Sequence, residues 1–335
     1  ARRHRVGVGR EAVRARGRNA IPCAEAVVDP DKTRGRAAWT SPCTEALSRE
    51  ERSRGEKNLK LALLATHPIQ YHAPWYRALV AAGVDLHVFF SYLPDAQHQA
   101  VGFGGGFEWD VPLLSGYEWS VLEQARSEPE LGSFLGLRCR GVGRVLAANR
   151  PDVVVLSGWN ALPLVQGLRA AIQLGIPTVV RGESNSMGPR PAWKNAGHRA
   201  LLAHYDSFIS IGRANRAFYE RNGVQPERIV DGGYFVDEEH FERLREKELL
   251  RRTEGREAWG IPAGAFCALF VGKLQDKKRP LDYVASVSAA SETLGRENVH
   301  GLVVGSGELE SATKEAVAAS GAPITFAGFL NQTEI

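Results

Sequence analysis

The chain has 335 residues, 44% hydrophobic and 24% charged, with a formal net charge of +4. That composition excludes collagen-like, coiled-coil and wholly disordered classes, and no apolar run approaches the roughly 18–20 residues of a membrane-spanning helix. The four cysteines, at 23, 43, 139 and 267, show neither a C-x-x-C nor a zinc spacing, which reads as unpaired thiols in a reducing compartment, without a disulfide scaffold or a metal site.

Residues 1–58 carry 14 Lys and Arg against 8 Asp and Glu, a net +6, which leaves −2 for residues 59–335. The basic balance therefore belongs to the tail, and no nucleic-acid partner is expected for the body. The tail has no sustained period of 2 or 3.6 and reads as disordered: a solvated tail, a basic arm, or sequence upstream of the native start. Met187 is the only methionine, so a fragment, a processed product or a non-Met start is expected.

At Leu59 the pattern changes. Leu59–Thr66 is a short apolar run suited to a buried parallel strand, stopped by His67-Pro68. Pro74 opens a helix with Trp75, Ala78, Leu79 and Ala82 on one face, ended by Gly83. Val84, Leu86, Val88 and Phe90 alternate as a strand, completing a βαβ unit. Residues 92–131 are irregular, with a glycine run at 102–106, and read as a long insertion. Strands over 152–156, 177–181 and 207–211 then alternate with helices over 160–174, 191–204 and 213–222. Residues 238–262 are charged and helical in pattern, the expected linker. A second series has strands at 266–271, 300–304 and 323–326 and helices after Pro280 and over 308–319. Two βα series predict an α/β protein of two doubly wound, Rossmann-like domains, over 59–237 and from 263, the second incomplete at 335. Ligands are expected at the carboxyl ends of the strands.

Several strand ends carry chemistry. Gly272-Lys273-Leu274 with Lys277, Lys278 and Arg279 joins a glycine turn, several cations and a helix N-terminus, which suits a diphosphate or makes a solvated basic loop. Gly305-Ser306-Gly307 opens the next helix, either to admit a ligand to the backbone or to make a tight turn. His67, Gln70 and His72 end the first strand, as substrate contacts or an exposed proline turn. Arg181 and Glu183 end another, to orient sugar hydroxyls and move protons or to form a structural ion pair. Gly141 and Gly143 read as lying inside a helix, so they make no dinucleotide fingerprint. Trp109, Asp110, Tyr117, Glu118 and Trp119 are either a stacking platform or core. The 191–204 helix, with Trp193, Lys194, His198 and Arg199, is either an ordinary surface helix or a membrane contact.

These segments together resemble the family 4 glycosyltransferases of GT-B fold, in particular bacterial members that assemble cell-wall or surface polysaccharide. The carriers are His67–Pro74, Trp109–Tyr117, Gly175-Ile176-Pro177 with Arg181–Ser184, Phe270–Leu274 with Lys278–Pro280, Val304–Gly307 and Phe326–Phe329. The resemblance implies transfer of a sugar from a nucleotide-diphosphate-sugar co-substrate, with retention and without a metal or bound cofactor. The acceptor would be a glycan, a lipid-linked sugar or a small molecule. Lys273 and Lys278 would hold the diphosphate, Gly272, Gly305 and Gly307 would line the donor cleft, and Arg181 and Glu183 would act as catalytic residues facing the acceptor or transferred sugar. A cytoplasmic site is implied, with peripheral contact to the inner membrane face. The glutamate pair that the family carries in its second domain has no counterpart before Ile335, so the chain as written is expected to be inactive. A non-hydrolysing nucleotide-sugar epimerase and a non-catalytic nucleotide-sugar-binding scaffold are the alternatives.

Overall fold

The computed structural model describes residues 59–99 and 106–335; the tail and the glycines from Gly102 to Gly105 lie outside the described residues. The first strands and helices fall close to the predicted ones. They are β1 (Lys60–Ala65), α1 (Ala73–Ala81), β2 (Asp85–Phe90), a helical turn α2 (Ala96–Gln99), β3 (Glu118–Val121) and α3 (Val142–Asn149). There follow β4 (Val153–Leu156), α4 (Leu162–Leu174), β5 (Thr178–Arg181), α5 (Ala192–Leu202), β6 (Ser207–Ser210), α6 (Arg213–Arg221) and β7 (Ile229–Asp231). These seven strands form one parallel sheet in the order β3-β2-β1-β4-β5-β6-β7.

The apolar run of β1 is explained by burial on both faces. Its side chains alternate between two cores. Ala62 and Leu64 join Leu146, Leu164, Leu168, Phe218 and Tyr219 from α3, α4 and α6. Leu63 and Ala65 join Ala73, Tyr76 and Tyr117 on the other side. Helix α4 comes so close that a Cβ on Gly167 would stand 2.4 Å from Leu64 Cδ2. The order reverses between β1 and β4, the switch point at which an open parallel sheet leaves a crevice.

Two charged helices, α7 (Glu238–Leu249) and α8 (Arg252–Ala258), occupy the expected linker. The second sheet holds β8 (Phe266–Val271), β9 (Val299–Val304) and β10 (Ile324–Gly328), all parallel, in the order β10-β9-β8. Helices α9 (Pro280–Leu294) and α10 (Glu310–Ser320) connect them, with Pro280 in the first turn of α9. Among the described residues β8 pairs only with β9, and Phe266, Leu269 and Val271 are 71%, 58% and 49% exposed along it.

Three readings differ from the structure. The irregular insertion contains β3, a four-residue edge strand with a half-buried centre, too short and too shallow for a clear alternation. Strand β7 has three residues, two of them exposed, and is too short for Ile229 and Val230 to make a pattern. Gly141 lies before α3 rather than inside it, at a φ of +66°. Of the aromatic cluster, Tyr117 packs edge-on against Tyr76 at 5.2 Å and Trp119 lies 6.4 Å from Phe90, so both serve the core.

Candidate functional site

A cavity of about 320 Å³ opens at the switch point. Its walls come from the ends of β1 (Thr66, His67), β4 (Trp159, Asn160) and β5 (Arg181, Glu183), with Tyr71 and His72 from the loop before α1. Four residues singled out in the sequence, His67, His72, Arg181 and Glu183, are thus brought together. Gln70 lines a neighbouring cavity instead.

Arg181 is buried, with 8% of its surface exposed. Its guanidinium lies 5.3 Å from the ring centres of both Trp75 and Tyr234, a double cation–π contact. It also reaches the Gly233 carbonyl at 3.5 Å and His72 Nε2 at 3.4 Å. A guanidinium only donates, so Nε2 of His72 accepts and the proton of the neutral ring sits on Nδ1. Nδ1 has no hydrogen-bond partner among the described residues, and His72 is 7% exposed, which leaves a donor on the cavity wall. Burial, then the charge of Arg181 and then His67, lower the His72 pKa to about 3. Burial lowers that of His67 to about 4. Both rings are therefore neutral at physiological pH.

No ion pair joins Arg181 and Glu183 among the described residues. The exposed Glu183 carboxylate instead accepts from the Tyr234 hydroxyl, whose pKa is raised to about 12 by burial first and then by this carboxylate. Burial and then Glu183 also raise the pKa of Tyr71. Gly182 is fixed beneath the cavity: its amide donates to Tyr219 Oη at 3.0 Å, and a Cβ there would meet Trp159 at 2.6 Å. Trp75, Tyr234 and Tyr219 escaped the sequence reading. Trp75 and Tyr219 belong to helices with ordinary apolar faces, and Tyr234 follows β7, which was itself not visible.

The second group of predicted residues lies at the carboxyl ends of β8 and β9 and lines no part of the switch-point cavity. Gly272, Gly305 and Gly307 bring two loops together. A Cβ on Gly305 would stand 2.1 Å from the Gly272 carbonyl oxygen, and one on Gly307 2.7 Å from that of Leu274. Leu274 N donates to Ser306 O at 2.9 Å, and Leu309 N donates back to Leu274 O at 2.9 Å. Close packing of loop on loop is thus sufficient reason for Gly305 and Gly307, whereas a Cβ on Gly272 would meet nothing within 4 Å and its φ of +152° is what favours glycine there. Lys273 is half-buried, and its pKa is lowered by burial, then by Lys277 and Lys278. Lys278 ends a turn of 3-10 helix before Arg279, which is held at a φ of +56° and paired with Asp282 at 2.7 Å. A non-glycine residue in this left-handed region is strained by roughly 1–2 kcal/mol.

The family model described as "Glycosyl transferase 4-like domain" matches residues 69–230. A curated relative from Campylobacter jejuni, an alpha-1,4-N-acetyl-D-galactosaminyltransferase named for a GalNAc-containing undecaprenol diphosphate acceptor, is 23% identical over 161 residues. That alignment spans 48% of this chain and 40% of the relative, so the chain covers well under half of that relative's length. Among solved structures, Anabaena HepE in complex with UDP matches with a TM-score of 0.55 at 13% identity, over 82% of this chain and 70% of the other. UDP-GlcNAc 2-epimerase from Methanocaldococcus jannaschii matches with a TM-score of 0.50 at 15% identity, over 83% and 75%. These structures share the two-sheet GT-B fold, and epimerase and transferase are not separated by fold alone. The glycosyl transferase 4-like match, which covers just under half of the chain, lies across the switch-point cavity, and the chain is similar there to the family 4 glycosyltransferases.

Proposed function

We propose that this protein transfers a sugar from a nucleoside diphosphate donor to a glycan or lipid-linked acceptor. In this reading residues 59–237 form the acceptor side and residues from 263 belong to the donor side. The observation that carries it is the cluster of Lys273, Lys277 and Lys278, where a strand end delivers three mutually repelling ammonium groups to the start of α9. A diphosphate relieves that repulsion, and its charge grows as the bond from the sugar C1 to the phosphate oxygen breaks. The acceptor hydroxyl forms the new bond at C1 and gives up its proton. Glu183 is the carboxylate at the switch-point cavity able to take it or to orient the sugar. His72 and His67, neutral at pH 7, offer hydrogen bonds without adding charge.

The donor half of the reading is tested by calorimetric titration with UDP. Lys273→Ala and Lys278→Ala are each expected to weaken binding about tenfold or more, the usual worth of a hydrogen bond to a charged group. Unchanged titrations would remove both from the site. The match to a glycosyltransferase family model favours transfer over epimerisation, and a product assay distinguishes a lengthened acceptor from an epimerised nucleotide sugar.

Contact with the inner face of the cytoplasmic membrane is the finer part of this proposal. Among the described residues no helix is long and apolar enough to cross a membrane. Support comes from α5 and the segment before it, where Met187 and Trp193 are 84% and 71% exposed beside Arg190, Lys194 and Arg199. Co-sedimentation with anionic phosphatidylglycerol vesicles is expected, and Trp193→Ala should reduce it. Equal recovery with neutral vesicles would count against the electrostatic part.

A further inference from the structure

The switch-point cavity has a more apolar neighbour. A second cavity of about 360 Å³ lies between the loop before α1, residues 111–112 and the segment 235–241 that opens α7. Tyr71 stands in the walls of both cavities. Much of the remaining lining is apolar, supplied by Pro74, Val111, Pro112, Phe235, Val236 and Phe241, with Gln70, His240 and Gln332 as its other polar side chains. Its two permanently charged side chains are already engaged within the protein. Arg77 Nη1 donates to the Pro112 carbonyl at 3.0 Å, and the Asp237 carboxylate accepts from the His240 amide at 3.1 Å, capping α7.

That difference selects the occupant. A sugar entering a site must replace its lost hydrogen bonds to water, and each one left unmade is costly. The switch-point cavity offers Glu183, His67 and Asn160 for this, whereas the second cavity offers mainly hydrocarbon surface, which favours an apolar occupant. Its volume falls in the range of small-molecule pockets. Val236 and Phe241 are 54% and 52% exposed, so the apolar wall continues to the surface. A wall of that form suits an extended chain that leaves the cavity while keeping contact, more than a compact ring.

We propose that the second cavity is an acceptor subsite for an aliphatic chain, joined past Tyr71 to a sugar seated in the switch-point cavity. The inference rests on the transferase reading for the role of that first cavity. It assigns specificity to Val236 and Phe241, which line the second cavity and not the first.

The test is calorimetric titration of the full 335-residue chain with n-octyl β-D-glucoside below its micelle concentration, with methyl and phenyl β-D-glucosides as references. Octyl glucoside is expected to bind at least tenfold more tightly than methyl glucoside. Val236→Asp and Phe241→Asp should each abolish that preference and leave methyl glucoside binding unchanged. Both side chains are exposed enough for the fold to tolerate the change, and thermal unfolding verifies it. The subsite is overturned if octyl and methyl glucosides bind alike, if the preference survives both substitutions, or if phenyl glucoside matches the octyl compound. UDP is titrated in the same samples. UDP binding without an octyl preference overturns the subsite and leaves the transferase reading standing. An octyl preference without UDP binding supports the hydrocarbon subsite and removes the transferase reading.

Discussion

Arg181 sits where a catalytic side chain would be expected and is held as a structural one would be. Two aromatic rings, a carbonyl and a neutral histidine hold the guanidinium, so its charge acts on the cavity from a fixed position. Arg181→Lys keeps the charge but loses the planar stack, and it is expected to weaken glycoside binding while sparing UDP binding. The two histidines set a pH dependence. Both folded pKa values, about 4 for His67 and about 3 for His72, lie below the ordinary 6.5. The unfolded chain therefore binds more protons between those values and 6.5, and stability rises with pH across that window. Lowering the pH from 7 to 5 should cost about 2 kcal/mol per histidine at most. Urea unfolding at both pH values measures it, and His72→Gln should flatten roughly half of the slope. His67, His72, Arg181 and Glu183 were legible in the sequence because each lies at the end of a recognisable strand or in the short turn after it. The sandwich around Arg181 was not, because Trp75 and Tyr234 approach it from segments 106 and 53 positions away in the sequence.

At the scale of elements, legibility followed length and depth of burial. Strand β1 and helix α4 announce themselves because a fully buried strand is continuously apolar and a helix of 13 residues shows its period. Strands β3 and β7 stand at the two edges of their sheet, where partial exposure erases the pattern. The glycine loops show a different kind of limit. Their glycines were visible, but the reason for Gly305 and Gly307, one loop packed on another, arises only when β8 and β9 are paired. Helix α4 offers a direct test of packing. Gly167→Ala would drive a methyl against Leu64 and Leu156, and overpacking of this kind costs typically 1–3 kcal/mol. A lower urea midpoint with unchanged slope is the expected result. A variant as stable as the parent would mean that Leu64 has room to turn aside.

Across the whole molecule, the segment before β3 reaches the end of β10. The Phe107 and Phe329 rings lie 4.4 Å apart, Asn331 Nδ2 donates to Glu108 O at 2.7 Å, and the Asp110 carboxylate accepts from Thr333 N at 3.2 Å. Asp110→Ala should raise hydrogen exchange in both segments together while leaving β1 and β4 protected, since their amides depend on the sheet and not on this contact. None of these long-range pairings was readable in advance, because they join residues more than 200 apart in the chain. In the polypeptide of 335 residues, β8 presents Phe266, Leu269 and Val271 to water, apolar surface through which copies can associate. Turbidity is therefore expected when this polypeptide is concentrated, and Leu269→Lys should delay it by placing a like charge on every copy at that surface.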